Sequence, residues 1–332
     1  MPLSRDVEPV LDHLAERIAR GELVVLIGAG VSRWAGLPTW KEVACALSRD
    51  LAAELTRAVP DAPLRFAPPS PDGPLSTETL IRIGEAYRFV CGEERLVAAL
   101  RKLFRTDQLD PEDLPLHRLL VRLSEHVTAI YTTNFDDLLE RAFAAAGKRH
   151  QVVAEAKDLH EWKYDRRNGG WVPRYPIYKL HGSLDRPGTL VFGESDFQRR
   201  SDLAAHPIDL RFASDVVGRE LLLLGYSFSD PNVRWLWTKL RDLGVLPLAC
   251  FVELGESTDL DVAYFLKDRV TRIDLRAEDR EHPPELLDLL ERLLARCENV
   301  SGVGAARGGP RKTARGRSAR GGPAPRRRSR RR

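Results

Sequence analysis

The chain has 332 residues and a formal net charge of +4, and its 43% hydrophobic and 30% charged residues are typical of a globular protein with a sizeable core. No apolar stretch approaches the roughly 18 residues that a membrane helix needs, and residues 1–10 lack the pattern of a secretory signal, so we expect a cytoplasmic protein without a membrane partner. The cysteines at 45, 91, 250 and 297 lie too far apart to predict a disulfide framework or a zinc site, and we expect no bound metal.

The first third of the chain combines one strand with a mostly helical region. Residues 11–20 place apolar side chains at helical spacing, and Gly21 ends this helix before the apolar run 23–27, which is typical of a buried strand. From about 40 to 105 the pattern is mostly helical, and prolines at 60–74 predict an exposed loop within it. We interpret this region as a helical insertion or cap.

The rest of the chain alternates between strand and helix patterns. Further apolar runs predict strands at residues 127–131, 151–153, 177–180, 190–192, 221–224, 246–252 and 270–275. Helical patterns lie among them at 136–146, 232–243 and 284–297. This alternation predicts an α/β fold, namely a Rossmann-like, doubly wound, mostly parallel sheet with helices on both faces, within one domain over residues 1–300.

The last 32 residues differ in charge and composition from the rest. Residues 301–332 contain eleven Arg and one Lys and no acidic residue, so they carry +12 and the remainder of the chain carries −8. Almost nothing apolar is present to offset the entropy of ordering, which predicts a disordered, Arg-rich tail over 301–332. Such a tail can bind nucleic acid through nonspecific phosphate contacts, or it can simply be solvated.

Glycines follow the first predicted strand directly. In Gly28-Ala29-Gly30-Val31-Ser32, backbone without a Cβ can approach a pyrophosphate closely, and the N–H groups of a following helix favour negative charge. A dinucleotide site is therefore one interpretation. An ordinary tight strand-to-helix turn is the other, since the full GxGxxG spacing is absent.

Three more polar motifs stand at the ends of predicted strands. Asn134 and Asp136 follow the strand at 127–131, where they suit either a ligand site or a helix cap. His181 ends the strand at 177–180, and it is either a proton acceptor or a structural histidine. In Gly225-Tyr226-Ser227 a glycine and a hydroxyl can contact phosphate or ribose. Because the carboxyl ends of parallel strands share one edge, we expect all four motifs to meet there.

These motifs resemble those of the sirtuin family, and specifically the divergent sirtuin-like domains of bacterial antiphage defence. The resemblance covers about residues 20–275 and rests on the glycine motif with Gly36-Leu37-Pro38, Thr133-Asn134-Phe135-Asp136, Lys179-Leu180-His181-Gly182-Ser183 and Gly225-Tyr226-Ser227. It implies an NAD-binding catalytic domain whose catalytic residues are Asn134, Asp136 and the base His181. It also implies that NAD is bound by Gly28, Ala29, Gly30, Ser32, Gly225 and Ser227.

Two departures bear on the reaction. Protein-deacylating sirtuins carry two zinc-binding CxxC pairs after their His-Gly, whereas no cysteine lies between Cys91 and Cys250 here, and Thr39-Trp40-Lys41 stands where they have Asp-Phe-Arg. The resemblance therefore implies an NAD+ hydrolase that releases nicotinamide and ADP-ribose, with NAD as its substrate, and that acts against phage by depleting NAD.

Other functions remain open at this stage. The alternatives are an NAD-dependent protein deacylase, an ADP-ribosyltransferase, or a non-catalytic module that binds NAD or ADP-ribose in a defence complex. The presence of both Asn134 and His181 argues against the last. The resemblance also implies a homo-oligomer, a defence partner such as a HerA-type ATPase or a short Argonaute, or both.

Overall fold

The computed structural model describes residues 7–61, 66–70, 77–161, 164–167, 170–200, 206–226, 231–244, 248–253, 270–275 and 284–307. Across these ranges the main sheet has seven strands: β1 (Leu23–Ile27), β2 (Ile130–Thr132), β3 (His150–Val153), β6 (Tyr175–Lys179), β7 (Glu220–Leu224), β8 (Leu248–Glu253) and β9 (Val270–Asp274). Their spatial order is β3-β6-β2-β1-β7-β8-β9, and all neighbouring pairs are parallel. A separate antiparallel hairpin consists of β4 (Tyr164–Arg167) and β5 (Gly170–Pro173).

Helices cover both faces of the sheet. One face packs against α1 (Glu8–Ala19), α6 (Pro115–Leu123), α7 (Leu138–Ala145) and α11 (Pro284–Arg307). The other face packs against α9 (Pro207–Val216) and α10 (Pro231–Asp242). The predicted α/β, Rossmann-like, doubly wound sheet is therefore confirmed.

Strand β1 illustrates why the apolar runs are continuous. Its side chains alternate between the two faces, so Val25 packs with α1 and α6 whereas Leu26 packs with α9. All five residues of β1 are buried. A central parallel strand has no solvent-facing side, and it therefore lacks the polar alternation of an edge strand.

A helical cap stands over the carboxyl edge of the sheet. It contains α3 (Trp40–Ala58), α4 (Thr77–Cys91) and α5 (Glu93–Phe104), which share an apolar core with the loop residues Phe135 and Phe192. Helix α3 begins with a capping box, in which Thr39 Oγ1 accepts from Glu42 N at 3.3 Å and Glu42 Oε2 accepts from Thr39 N at 2.6 Å. This box directs the chain from the glycine motif into the cap.

The four strands that precede the polar motifs end side by side. Ile27 pairs with both Thr132 and Leu224, and Thr132 pairs with Lys179. Strand order also reverses between β1 and β7, which is the position where ligands bind in open α/β sheets. The sheet thus places all four loops at one edge.

Two expectations require correction. The strand predicted at 190–192 is wrong, because these three buried residues form an irregular segment that packs against the cap and the loops instead of pairing in the sheet. Helix α11 continues to Arg307, so the start of the segment assigned to the tail is helical, while 308–332 lie outside the described residues. In the described part of the chain, we find no helix with the length and apolarity to span a membrane.

Candidate active site

A cleft of about 370 Å³, part of it open to solvent, lies between the carboxyl edge of the sheet and the cap. Eleven residues line it: Ala29, Ser32, Pro38, Trp40, Val43, Phe104, Thr133, Asn134, Phe135, Asp136 and Phe192. The cleft thus combines a small polar floor with large apolar walls.

The glycine turn packs closely against the loop that follows β7. Gly28 N donates to Leu224 O at 2.9 Å, and Gly30 N donates to Gly225 O at 2.7 Å. A Cβ on Gly30 would lie 2.6 Å from Gly225 O, so this approach requires glycine. The two predicted cofactor loops are therefore adjacent, with Ala29 and Ser32 facing the cleft and Ser227 outside the described residues.

Tyr226, for which the sequence predicted no role, holds these loops together. Its ring lies only 2.6 Å from the position that a Cβ on Gly28 would take, so no side chain fits there. Its hydroxyl donates to Ile27 O at 3.0 Å and lies 3.0 Å from Thr133 Oγ1. Tyr226 thereby joins the loops that follow β1, β2 and β7.

Asn134 is held in one orientation on the polar floor. Its Nδ2 donates to Gly28 O at 3.1 Å and to Ser32 Oγ at 2.9 Å, and because a carbonyl can only accept, the amide nitrogen must face the glycine turn. Its Oδ1 is then buried without a hydrogen-bond partner. Such an unsatisfied acceptor is costly unless a ligand supplies a donor.

Asp136 lies beside Asn134 and shares Ser32 with it. Its Oδ1 accepts from Leu138 N at 3.1 Å, which caps α7, and its carboxylate also accepts from the hydroxyl of Ser32. Burial raises the pKa of Asp136, although the charge of Lys179 and these hydrogen bonds favour the carboxylate. Asp136 thus lines the cleft and also accepts from the first residue of α7.

Lys179 fixes the backbone of the Asn134–Asp136 loop. Its side chain is fully buried, and Nζ donates to Asp136 O at 2.5 Å, Phe135 O at 3.4 Å and Glu140 Oε1 at 2.7 Å. Lys179 belongs to the Lys179–Ser183 motif of the sequence, but no role was predicted for it. A charged residue inside an otherwise apolar strand was the signal.

His181 is buried next to the cleft but does not line it. Its ring meets Phe197 edge-on, with centroids 5.6 Å apart, and its Nδ1 has no hydrogen-bond partner. Burial, reinforced by the charges of Arg200 and Lys239, lowers the pKa of His181 to about 3, so the imidazole is neutral at pH 7. Val191 N donates to His181 O at 3.0 Å, which joins this loop to the segment that carries Phe192.

Aromatic rings form the wall of the cleft on the cap side. Trp40 stacks on Phe192 with ring centroids 5.1 Å apart, and it meets Phe135 edge-on at 5.3 Å. Phe104 packs against Phe135 at 6.4 Å. This wall suits a flat aromatic group above the polar floor.

The structure thus places Ala29, Ser32, Asn134 and Asp136 together in one cleft, with Gly28, Gly30 and Gly225 behind them and His181 alongside. The assigned roles remain predictions. Among the described residues, no group of three or more His, Cys, Asp or Glu side chains could hold a metal ion.

Comparison with known proteins gives a family match. Residues 128–268 match the SIR2-like domain, a range that includes Asn134, Asp136 and His181 but begins after the glycine motif. The chain is 24% identical over 233 residues to the NAD(+) hydrolase ThsA of Acinetobacter baumannii (strain 532279), covering 70% of this chain and 42% of the relative. It is 22% identical over 243 residues to NAD(+) hydrolase ThsA of Bacillus cereus (strain MSX-D12), covering 73% and 44%.

A further relative is Defense-associated sirtuin 2 of Bacillus subtilis, which is 24% identical over 247 residues, 73% of this chain and 21% of that protein. The chain therefore spans less than half the length of these curated relatives. Among solved structures, a Sir2 homologue in complex with NAD aligns over 90% of this chain and 97% of its own, with 16% identity and a TM-score of 0.40.

Proposed function

We propose that this chain, a divergent sirtuin-like protein, is an NAD+ hydrolase that releases nicotinamide and ADP-ribose. The observation that carries the proposal is the buried, unpartnered Oδ1 of Asn134, held at the cleft by the bonds of its Nδ2 to the glycine turn. The names of the ThsA relatives support the proposal. The chain spans under half the length of those proteins, so their activity is a proposal for this chain.

Asn134 supplies a fixed acceptor for the substrate. Cleavage of the bond between nicotinamide and ribose requires that the ribose and the attacking water be held in a defined geometry. The Oδ1 of Asn134 can accept from a ribose hydroxyl or from that water without any reorganisation, because Gly28 O and Ser32 Oγ already hold the amide. Binding of NAD+ then satisfies an acceptor that is otherwise buried alone.

Asp136 supplies negative charge at the same floor. Departure of nicotinamide develops positive charge at the anomeric carbon, and a nearby carboxylate in a poorly solvated site stabilises it more than it could in water. The bonds from Ser32 and Leu138 N fix the carboxylate in advance. The aromatic wall formed by Trp40, Phe135 and Phe192 offers apolar ring surfaces against which the nicotinamide ring can pack.

His181 is assigned as the base in this proposal. Its imidazole is neutral and its Nδ1 is unpartnered, so it has an acceptor site for a proton from water or from a ribose hydroxyl. Catalytic hydrogen bonds commonly tighten only when the substrate is bound. We therefore propose that His181 accepts the proton only once NAD+ is bound.

The decisive experiment follows the products. Purified protein is incubated with NAD+ alone, and nicotinamide and ADP-ribose are quantified by chromatography. Hydrolysis predicts equal amounts of both without any acceptor. A deacylase would need an acyl-lysine peptide, a transferase would label a macromolecule, and a binding module would retain NAD+ unchanged; each of these results rejects the hydrolase.

Variants then test the residues. Asn134→Ala and His181→Ala should each lower the rate by about 10²- to 10⁴-fold, as expected when a positioned catalytic group is lost. His160→Ala is the matched control, because His160 is exposed and outside the cleft. Circular dichroism verifies folding. Full activity in both Asn134→Ala and His181→Ala would refute the assignment.

The proposed biological role is antiphage defence by NAD depletion. In this role the chain acts as a homo-oligomer, together with a defence partner, or both. Expression of the wild-type chain, but not of Asn134→Ala, should lower cellular NAD+ and arrest growth on infection. Light scattering of the purified chain measures its oligomeric state. Unchanged NAD+ during infection would refute the role while leaving the chemistry to the assay above.

A further inference from the structure

Asp196 is a buried carboxylate outside the cleft whose acceptor capacity is filled. It is 5% exposed, and its Oδ2 accepts from Phe192 N at 2.9 Å, Gly193 N at 2.9 Å and Arg88 Nη2 at 2.7 Å. Its Oδ1 accepts from Arg199. Burial alone would raise the pKa of Asp196, but the hydrogen bonds from Arg88 and the two backbone groups outweigh it, and the pKa is lowered.

Helix α4 of the cap also binds this segment through a second carboxylate, that of Glu85. Glu85 lies one helical turn before Arg88 on α4, and its Oε2 accepts from Ser195 N at 3.2 Å and from Ser195 Oγ at 3.0 Å. Helix α4 therefore holds consecutive residues of helix α8 (Glu194–Arg199) with one acidic and one basic side chain. We call these four residues, Glu85, Arg88, Ser195 and Asp196, the α4–α8 clamp.

The segment 192–197 places one phenylalanine ring at the cleft and another against His181. Phe192, whose N–H is bonded to Asp196, forms the cleft wall with Trp40. Phe197 follows Asp196 directly and packs edge-on against His181. Helix α4 also fits Phe192 tightly, because a Cβ on Gly84 would lie 2.7 Å from the Phe192 ring.

We propose that Arg88 and Asp196 are positioning residues for the reaction, because they lock the segment 192–197 so that Phe192 closes the cleft and Phe197 orients His181. This inference rests on the proposed NAD+ hydrolysis. Neither side chain lines the cleft, so the clamp acts through the two phenylalanines.

The clamp should affect kcat more than KM. Under the proposed function the glycine turn binds the ADP end, and the clamp side chains bond to residues 192–196 instead of that turn. Phe192 lines the cleft in which the ribose and nicotinamide would lie. Misplacement of a reacting group by about 1 Å can cost about 100-fold in rate. A change in kcat without a change in KM indicates loss of an arrangement needed only in the transition state.

The test compares variants of the full chain with NAD+ as the substrate. Arg88→Ala should lower kcat by about 10- to 100-fold and leave KM within about threefold. Arg88→Lys keeps the charge and should recover most of the loss. Arg95→Ala, which breaks an exposed 3.0 Å pair with Glu54 on the same cap, should match the wild type.

Hydrogen exchange measures the clamp without relying on activity. The amides of Phe192 and Gly193 should be protected in the wild type and exchange faster in Arg88→Ala and in the isosteric Asp196→Asn, while Arg95→Ala leaves them unchanged. Wild-type kcat in Arg88→Ala, or equal protection in all variants, overturns the proposal. If the wild type releases no nicotinamide, hydrolysis itself fails, and the exchange data alone then support or overturn the clamp.

Discussion

Replacement of Lys179 by methionine should destabilise the protein strongly. The change removes a fully buried ammonium group and leaves the Asp136 carbonyl without its side-chain donor and Glu140 without its counter-charge. The Phe135 carbonyl loses the longer of two bonds and still accepts from Leu184 N at 3.1 Å. Breaking a buried ion pair from one side typically costs about 3–5 kcal/mol. Because the Glu140 side chain retains 12% exposure, we expect a loss near the lower end, about 3 kcal/mol in the free energy of unfolding.

Urea denaturation followed by circular dichroism measures this loss. Lys148→Met is the control, since Lys148 pairs with an exposed Glu125 and its ion pair should contribute under about 1 kcal/mol. A double-mutant cycle with Glu140→Gln should give a coupling of about 1–3 kcal/mol between Lys179 and Glu140. A Lys179→Met loss no greater than that of Lys148→Met would refute the assignment of Lys179 as the anchor of the Asn134–Asp136 loop.

Three further predictions address other parts of the molecule. Burial lowers the pKa of His117 from 6.5 to about 4, so unfolding takes up a proton between these two pH values and stability falls as the pH drops from 6.5 towards 4. His117→Gln should reduce this dependence of the free energy of unfolding on pH. An unchanged dependence, measured by denaturation at several pH values, would contradict the prediction. Thr39→Ala removes the Oγ1 acceptor of the α3 capping box while the backbone N–H at position 39 can still donate to Glu42. This change should cost about 1 kcal/mol, seen as a lower Tm, whereas an unaltered Tm would count against the cap. Gly30→Ala forces a Cβ against Gly225 O and should cost about 1–3 kcal/mol and lower NAD+ turnover, and a stable, fully active variant would show that the two turns can separate freely.

Much of the architecture could be predicted because its signals are local. Continuous apolar runs identified β1, β2, β6 and β7, and each run ends directly at a polar motif. Parallel pairing then requires these ends to share one edge, as the register of Ile27 with Thr132 and Leu224 shows. The run at 190–192 misled because a short buried strand and a buried irregular segment have the same apolar pattern.

The sequence by itself therefore determined the sheet class, the edge at which the motifs lie and the residue types found there. These features depend on apolar periodicity and strand ends, which are set by residues close together in the sequence. Tertiary structure alone decided which atoms are engaged: Asn134 is oriented by Gly28, 106 positions away, and Asp196 is held by Arg88, 108 positions away. It also decided that Tyr226 covers the glycine turn and that Trp40 reaches Phe192. No local pattern contains such information, because hydrogen bonds and ring contacts between distant segments depend on how whole elements pack against one another.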